Sequence, residues 1–210
     1  MFGTAEEGAR PARLDRDRGL VEAARRDPSR FDALYRKYLA QVYSYAFYEL
    51  RDHHAAEDAT ERVFMQALAG LPRFEERVDE FIATRAPLSA ADAAEFSTFR
   101  VWLFRIARNV VANERRSDRR RPVTPLEAAA ELHAPGDVVE AAAAREAVSA
   151  AWQAVARLPE DRRRAVILRF VDEMSTAEIA AVLDRSEGAV RVLLHRALRS
   201  VADDLRGGLS

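Results

Sequence analysis

The sequence contains no cysteine and few residues that break regular structure. The absence of cysteine from the 210 residues excludes disulfides, thiol nucleophiles and cysteine-ligated zinc or iron–sulfur centres. Glycine and proline contribute eight residues each, and no stretch approaches the roughly 18 consecutive apolar residues of a membrane-spanning helix. Residues 1–30 mix arginine with acidic residues and lack an apolar core, so they do not form a secretory signal. These absences predict a cytoplasmic protein without membrane insertion.

An excess of either charge is also lacking, because 33 basic residues nearly balance 34 acidic ones and the formal net charge is −1. Such a balance argues against a nucleic-acid partner only if the charges are spread evenly along the chain. Residues 99–121, however, contain eight arginines and two acidic residues, a net charge of +6. The flanking segments 74–98 and 122–147 each carry a net charge of −4. The near-neutral total is therefore a sum of opposed blocks.

Hydrophobic spacing predicts an all-α protein, since apolar residues recur at intervals of three and four and no long run alternates with period two. The segment 122–136 holds three prolines and a glycine, which predicts a flexible linker between two small helical domains. The predicted organisation is a flexible N-terminal segment with room for one short helix (1–30), a first domain (31–121) with an inserted loop (75–95), a linker (122–146) and a second domain (147–206).

Within these domains, helices are predicted at about 31–50, 55–69, 97–116 and 138–157, and Pro159 begins the first of three more. The first helix has a face of aromatic and aliphatic residues that we assign to the core. This face consists of Phe31, Leu34, Tyr35, Tyr38, Val42 and Tyr45.

The helix at 97–116 has two chemically different faces. Trp102, Ile106 and Val110 form an apolar stripe, and Arg105 and Arg116 lie on the opposite face. A basic face behind an apolar one fits phosphate binding, where each neutralised phosphate releases counterions. It also fits an ordinary solvated helix end, where arginine favours the C-terminal dipole.

Residues 175–198 have the pattern of a helix-turn-helix. Ser175 and Glu178 have the spacing of a capping box at the start of a helix, and Ser186 is placed to cap the next one. In that second helix, Arg191 is placed for a guanine edge or a phosphate and Val192 for a thymine methyl group. A plain antiparallel helical hairpin is the alternative, but the caps, turn and exposed basic face together favour DNA binding.

Three blocks in order resemble the extracytoplasmic-function (ECF) type of bacterial RNA polymerase sigma factor, which has only the second and fourth sigma domains. Residues 56–64 (AEDATERVF) are similar to the family's AED-x-x-Q-x-x-F helix, and residues 102–109 (WLFRIARN) to its WL-x-x-IA-x-N signature. Residues 158–197 resemble the fourth domain from its LP-x-x-x-R start to the EIA…G-x-VR…RA helix-turn-helix.

The resemblance implies a non-enzymatic, dissociable polymerase subunit that directs promoter-specific initiation without a cofactor or a metal. Its expected partners are core RNA polymerase, through the β′ coiled-coil and the β flap, promoter DNA, and in some family members an anti-sigma factor. The implied polymerase-binding residues are Glu57, Asp58, Glu61 and Phe64. The implied −10 residues are Arg105, Arg108, Asn109, Asn113, Arg116, Arg119 and Arg120. The implied −35 residues are Ser186, Gly188, Arg191, Val192, His195, Arg196 and Arg199.

The sequence departs from the family pattern in three places. Glu61 replaces the family's glutamine, and Val192 and Leu193 stand where polar or basic side chains are common. Hydrogen-bonded readout is therefore expected to rest on other residues of that helix. Segment 75–95 is longer than the family's usual loop. We expect a surface excursion, because long insertions in exposed loops are tolerated; tuning of promoter choice or binding of a regulator are the alternatives.

Two other classes of protein compete with this interpretation. A stand-alone helix-turn-helix regulator would explain residues 158–206 but would leave the acidic helix and the arginine-rich helix unexplained. An enzyme could use His53, His54, Glu57 and Asp58, which pair histidine with carboxylate at helical spacing. No third metal ligand, phosphate-binding glycine loop or nucleophile elbow accompanies them, so catalysis is disfavoured.

Overall fold

The computed structural model describes residues 16–76, 96–118 and 138–207, and the described residues form eight α-helices and no strand. The predicted all-α class is therefore confirmed. The N-terminal helical region contains α1 (Arg18–Arg26), α2 (Phe31–Leu50), α3 (His53–Gly70) and α4 (Thr98–Asp118). The C-terminal helical region contains α5 (Val138–Arg157), α6 (Glu160–Phe170), α7 (Thr176–Leu183) and α8 (Glu187–Gly207). Most of the predicted insertion and linker lies outside the described residues, and α5 begins at Val138, inside the linker range.

Helices α2, α3 and α4 pack around a shared aromatic core. Tyr38 and Tyr45 of α2 are 1% and 0% exposed, and their rings lie 5.8 and 5.7 Å from those of Phe99 and Phe104 in α4. The predicted inward face of α2 is buried except at Tyr35, which is 36% exposed. Helix α2 contains five tyrosines and two phenylalanines, and burial of some of these rings in the shared core stabilises the helix in this position.

Helix α3 begins two residues earlier and ends one residue later than predicted. Asp52 caps the helix, because its Oδ1 accepts a hydrogen bond from the amide of Ala55 at 2.8 Å. His53 and His54 form the first turn. Gly70 ends the helix without a left-handed backbone conformation; its importance is close packing, since a Cβ there would lie 2.9 Å from the Trp102 ring.

Helix α1 belongs to the segment that we expected to be flexible, and Asp17 attaches it to the N-terminal helical region. The Asp17 side chain is fully buried and accepts hydrogen bonds from Lys37, from the Tyr38 hydroxyl and, at 2.6 Å, from Ser97 Oγ. Ser97 Oγ in turn accepts a hydrogen bond from the amide of Arg100 and so caps α4. A buried carboxylate with these partners holds three separate chain segments together.

The predicted helix-turn-helix is present as α7 and α8. Ser175 and Glu178 form the expected capping box, with hydrogen bonds of 3.2 and 3.0 Å. Asp184 adopts φ 60°, ψ 45° in the turn, and Ser186 Oγ accepts from the amide of Ala189 at 3.2 Å. In α8, Ala197 is fully buried, whereas the larger Leu198 beside it is 48% exposed.

The two helical regions also share one hydrophobic core, which the prediction of two linked domains did not include. Ile167, Leu168 and Ile179 of the C-terminal helical region belong to the same buried cluster as Leu34 and Phe104. A second, smaller cluster lies within the C-terminal helical region and contains Val155, Leu158, Val166 and Ala197. We call the contact between the two helical regions the seam. It is formed mainly by α4 against α7 and by the end of α2 against α6.

Replacement of Asp17 by asparagine should lower the free energy of unfolding at pH 7 by about 1–3 kcal/mol, because an amide loses charge-assisted hydrogen bonds. Although burial raises the pKa of Asp17, hydrogen bonds from Lys37, Ser97 and Tyr38 outweigh burial and lower the pKa below 3.8. The carboxylate therefore stabilises the fold at neutral pH, and this contribution is lost as the pH falls through that lowered pKa. Urea denaturation at several pH values measures the difference. Asp32→Asn, at an exposed helix position, is the control, and an equal loss in both variants would contradict the assignment.

Candidate nucleic-acid and partner interfaces

A groove of about 530 Å³ runs between α2 and α3 and combines apolar and acidic side chains. Glu57 and Glu61 are exposed one helical turn apart on α3 and line the groove, whereas Asp58 is exposed outside it. Phe64 is only 5% exposed and packs edge-on against the Tyr35 ring at 4.7 Å, so it supports the groove floor. Three of the four predicted polymerase-binding residues therefore lie on the surface, and the fourth is a buried supporting residue.

Sequence reasoning missed the apolar part of this groove. Met65 and Leu68 line it and are 64% and 41% exposed, beside the partly exposed Tyr35. Large apolar side chains at this exposure are typical of surfaces that bind another protein. The sequence could have predicted this position, because Met65 and Leu68 follow Glu61 by four and seven residues. Residues at these spacings lie on the same side of a helix.

The predicted recognition face of α8 is exposed throughout. Its exposed members are Gly188, Arg191, Val192, His195, Arg196 and Arg199, with Ser186 exposed just before the helix. Arg191 forms an ion pair of 2.9 Å with Glu187 on its own helix, and its side chain remains 65% exposed. Val192 and the unpredicted Leu198 are 47% and 48% exposed and add apolar surface to this face. The face can offer both cationic and methyl contacts to a groove of DNA.

The predicted −10 face of α4 is divided by the structure. Asn109, Asn113 and Arg116 are exposed. Arg105 and Arg108 instead reach across the seam, where they donate hydrogen bonds to the carbonyls of Ala181 at 3.0 Å and Val182 at 2.7 Å. Arg119 and Arg120 lie outside the described residues. The structure thus presents only part of this set as a free surface.

Glu49 lies at the centre of a second contact across the seam. Its fully buried Oε2 accepts hydrogen bonds from Arg115 of α4 at 2.9 Å and from Arg163 of α6 at 3.1 Å. Arg164 approaches its Oε1 to 3.9 Å. Burial raises the pKa of Glu49 to about 7, although Arg164 and Arg115 act in the opposite direction. Nothing in the sequence marked this residue except that it is a lone acid near the end of an aromatic helix.

Arg100 makes a third polar contact at the seam. Its Nη2 donates to the Asp172 carbonyl, and its Nη1 lies 3.6 Å from Glu178 Oε2. Arg100 is 5% exposed and Asp172 is 1% exposed. Burial raises the pKa of the Asp172 carboxyl well above its ordinary value, and Arg100 opposes this shift.

The histidines considered for catalysis have other partners. The Nδ1 atom of His53 lies 2.7 Å from the Tyr43 hydroxyl, and the His53 ring stacks on Phe47 at 4.4 Å. His54 forms an exposed contact of 3.7 Å with Glu57. Within residues 16–76, 96–118 and 138–207, no three histidine or acidic side chains come together as metal ligands. Among the same residues, no helix is both long and apolar enough to span a membrane.

Comparisons with known proteins match both helical regions. The family model for Sigma-70 region 2 matches residues 34–85, and that for Sigma-70, region 4 matches residues 149–201. The chain is 33% identical over 196 residues to the ECF RNA polymerase sigma factor BldN of Streptomyces coelicolor. The matched region covers 89% of this chain and 66%, just under two thirds, of BldN. It is 30% identical over 182 residues to the ECF RNA polymerase sigma factor SigL of Mycobacterium tuberculosis, with 85% and 90% of the two chains covered.

Among solved structures, CnrH in complex with the cytosolic domain of CnrY has a TM-score of 0.62 against this chain. The similarity covers 92% of this chain and 99% of that one at 22% sequence identity. It shows that the two chains share a fold.

Stability should depend on pH through Glu49. Because the folded pKa of about 7 lies above the ordinary 4.5, its contribution is fully present below pH 4.5 and is lost as the pH rises through 7. The loss should amount to roughly 3 kcal/mol by pH 8. In Glu49→Gln, which stays neutral, the part of the pH dependence due to this residue should disappear. Urea denaturation of both proteins between pH 5 and pH 8 measures it, and parallel curves would contradict the prediction.

Proposed function

Because the chain belongs to the extracytoplasmic-function family of RNA polymerase sigma factors, we propose that it binds core RNA polymerase through the α2–α3 groove and directs the enzyme to promoters through α4 and α8. The protein acts in the cytoplasm as an initiation factor, without catalytic chemistry, cofactor or metal. The observation that carries this proposal is the order of three surfaces along one chain. An acidic and apolar groove is followed by an arginine-rich helix and then by an exposed recognition helix.

The groove suits a helical partner that is both basic and apolar. Glu57 and Glu61 offer carboxylates on one side, and Met65 and Leu68 offer apolar contact area beside them. The β′ coiled-coil of core polymerase is the partner that family membership implies. Since an exposed methionine adapts its shape to a partner, Met65 is expected to be buried on binding.

Promoter recognition is divided between α4 and α8. Asn109, Asn113 and Arg116 offer hydrogen-bond donors for the −10 strand, joined by Arg105, Arg108, Arg119 and Arg120 when these are accessible. Arg191 and Val192 lie in the N-terminal half of α8, the half that enters the major groove in helix-turn-helix proteins. The β flap is the expected polymerase contact of the C-terminal helical region, and an anti-sigma factor is a further partner that family membership implies.

Reconstitution with core RNA polymerase tests the proposal as a whole. The full chain should co-elute with core polymerase and should support run-off transcription from a subset of genomic promoters. A stand-alone regulator would instead bind a palindromic site tightly without polymerase and would not change the promoters that core polymerase uses. Absence of core binding, where a control sigma factor binds, would overturn the proposal.

Charge reversal in the groove should weaken polymerase binding. Glu57→Lys combined with Glu61→Lys places like charges against a basic partner, and we expect roughly 10- to 100-fold weaker binding to core. Fluorescence anisotropy of labelled chain titrated with core polymerase provides the affinity. Glu22→Lys combined with Asp32→Lys changes the charge equally at a partly exposed and an exposed position outside the groove, so its binding should match that of the wild type. Equal affinity of both double variants would place the docking surface elsewhere.

Removal of the Arg191 guanidinium should reduce promoter selection at the −35 element. Arg191→Ala removes one base or phosphate contact, which is worth about 1–3 kcal/mol if it is bidentate to guanine. In run-off transcription, the loss should be larger on promoters with an intact −35 element than on promoters with a substituted one. Arg206→Ala, near the far end of the same helix, is the matched control and should leave this preference unchanged. An unchanged preference in Arg191→Ala would show that α8 is not placed as proposed.

A further inference from the structure

A second recess lies between α4 and α6 and has a volume of about 390 Å³. Small-molecule sites in proteins enclose roughly 300–1,000 Å³, and most of them have an apolar lining. This recess has a charged lining instead, and we call it the arginine recess. It is lined by Ala112, Arg115 and Arg116 of α4 and by Glu160 and Arg164 of α6. Side chains of this kind suit an anion better than an apolar ligand.

The lining of the arginine recess has more positive than negative charge. Three guanidinium groups and one carboxylate line it, which gives a net charge of +2. Arg115 also donates a hydrogen bond to the buried Glu49, and Arg163 donates to the same carboxylate oxygen. Because Glu49 and Arg163 carry opposite charges, inclusion of both leaves the net charge at +2. A ligand with two negative charges would therefore balance the lining.

The guanidinium groups of the recess retain donors for a further acceptor. Arg164 is only 8% exposed, and its Nη2 forms an ion pair with Glu160. Its buried Nε has no hydrogen-bond acceptor among the described residues, because Glu49 Oε1 lies 3.9 Å away. Arg116 is exposed, and its Nε donates to the carbonyl of Ala112 at 3.1 Å. Since a guanidinium group carries five N–H donors, these contacts do not use all the donors of either residue.

We propose that the arginine recess is a binding site for a small phosphorylated compound, whose terminal phosphate or pyrophosphate group is held by Arg115, Arg116 and Arg164. Arginine pairs its N–H donors with phosphate oxygens. A terminal phosphate carries a charge of about −1.5 to −2 near pH 7, close to the charge that the lining requires. A phosphate within a nucleic-acid strand carries one negative charge, and the strand on either side of it hinders access to a buried guanidinium. Charge and burial thus favour a small compound over DNA.

Glu160 has the opposite role in this site. Its carboxylate pairs with Arg164 and would repel a phosphate in the same recess. Its side chain is 49% exposed, so the carboxylate can move into solvent when a ligand binds. Removal of its charge should therefore strengthen ligand binding, whereas a purely structural ion pair would give no such gain.

Calorimetric titration of the full chain with inorganic pyrophosphate, at constant ionic strength and without divalent cations, tests the proposal. Pyrophosphate presents the charged group without a base or a sugar. The wild type should bind it, and Arg116→Ala should bind it about tenfold more weakly, because charge-assisted hydrogen bonds are lost. Arg36→Ala removes the same charge at an exposed position outside the recess and should match the wild type.

The second variant tests the direction of the effect. Glu160→Gln should bind pyrophosphate about three- to tenfold more tightly than the wild type. Asp161→Asn is the matched control, because it removes the same charge from the next residue, which pairs with Arg185 and does not line the recess. It should change the affinity much less. Equal tightening in both variants would reveal a general charge effect and would overturn the proposal.

Two further results would overturn the proposal. One is absence of pyrophosphate binding by wild-type chain that circular dichroism shows to be folded. The other is equal affinity of the wild type, Arg116→Ala and Glu160→Gln, which would indicate adventitious binding elsewhere.

The same pair of acid variants distinguishes a small compound from a nucleic-acid strand. Affinity for single-stranded oligothymidine with a 5′-hydroxyl end should respond equally to Glu160→Gln and Asp161→Asn. A selective gain of oligothymidine affinity in Glu160→Gln would assign the recess to strand phosphates and would overturn the proposal. The inference goes beyond the proposed function and does not depend on it, because core binding and run-off transcription are measured separately and neither requires pyrophosphate.

Discussion

The arrangement of this protein depends on the need to satisfy polar groups that become buried where its two helical regions meet. Arginine meets this need through Arg100, Arg105, Arg108 and Arg163, whose hydrogen bonds across the seam are buried or partly buried. A guanidinium group carries five donors on a long apolar stem, so it can cross an interface and still reach a carbonyl. An ammonium group would have to be desolvated more completely to do the same. Arginine therefore has a structural role where the two helical regions meet.

Helix α4 contributes both to the N-terminal core and to the seam. Its apolar stripe completes the N-terminal core through Phe99 and Phe104, which fixes where its arginines emerge. Two of these arginines, Arg105 and Arg108, donate hydrogen bonds to the carbonyls of Ala181 and Val182 at the end of α7. The packing of the helix therefore decides which of its arginines are covered.

Local signals in the sequence predicted the local structure, and contacts between distant segments could not be predicted from it. The capping box of Ser175 and Glu178 and the bounds of α2 depend on neighbouring residues, so the pattern alone was sufficient. Asp17 pairs with Ser97, 80 residues away, and Glu49 pairs with Arg163, 114 residues away. The spacing of residues along the sequence does not predict such distant pairs. For the same reason, the exposure of Glu57, Glu61 and Arg191 agreed with the prediction, whereas the coverage of Arg105 and Arg108 was not predictable.

The separation of charge along the chain reconciles its net charge of −1 with the DNA binding of its family. Exposed carboxylates of Glu57 and Glu61 lie on α3, whereas the exposed guanidinium groups of Arg191, Arg196 and Arg199 lie on α8. Because charges of opposite sign occupy different surfaces, each surface presents its own field to a partner. The total charge of the chain therefore describes neither surface.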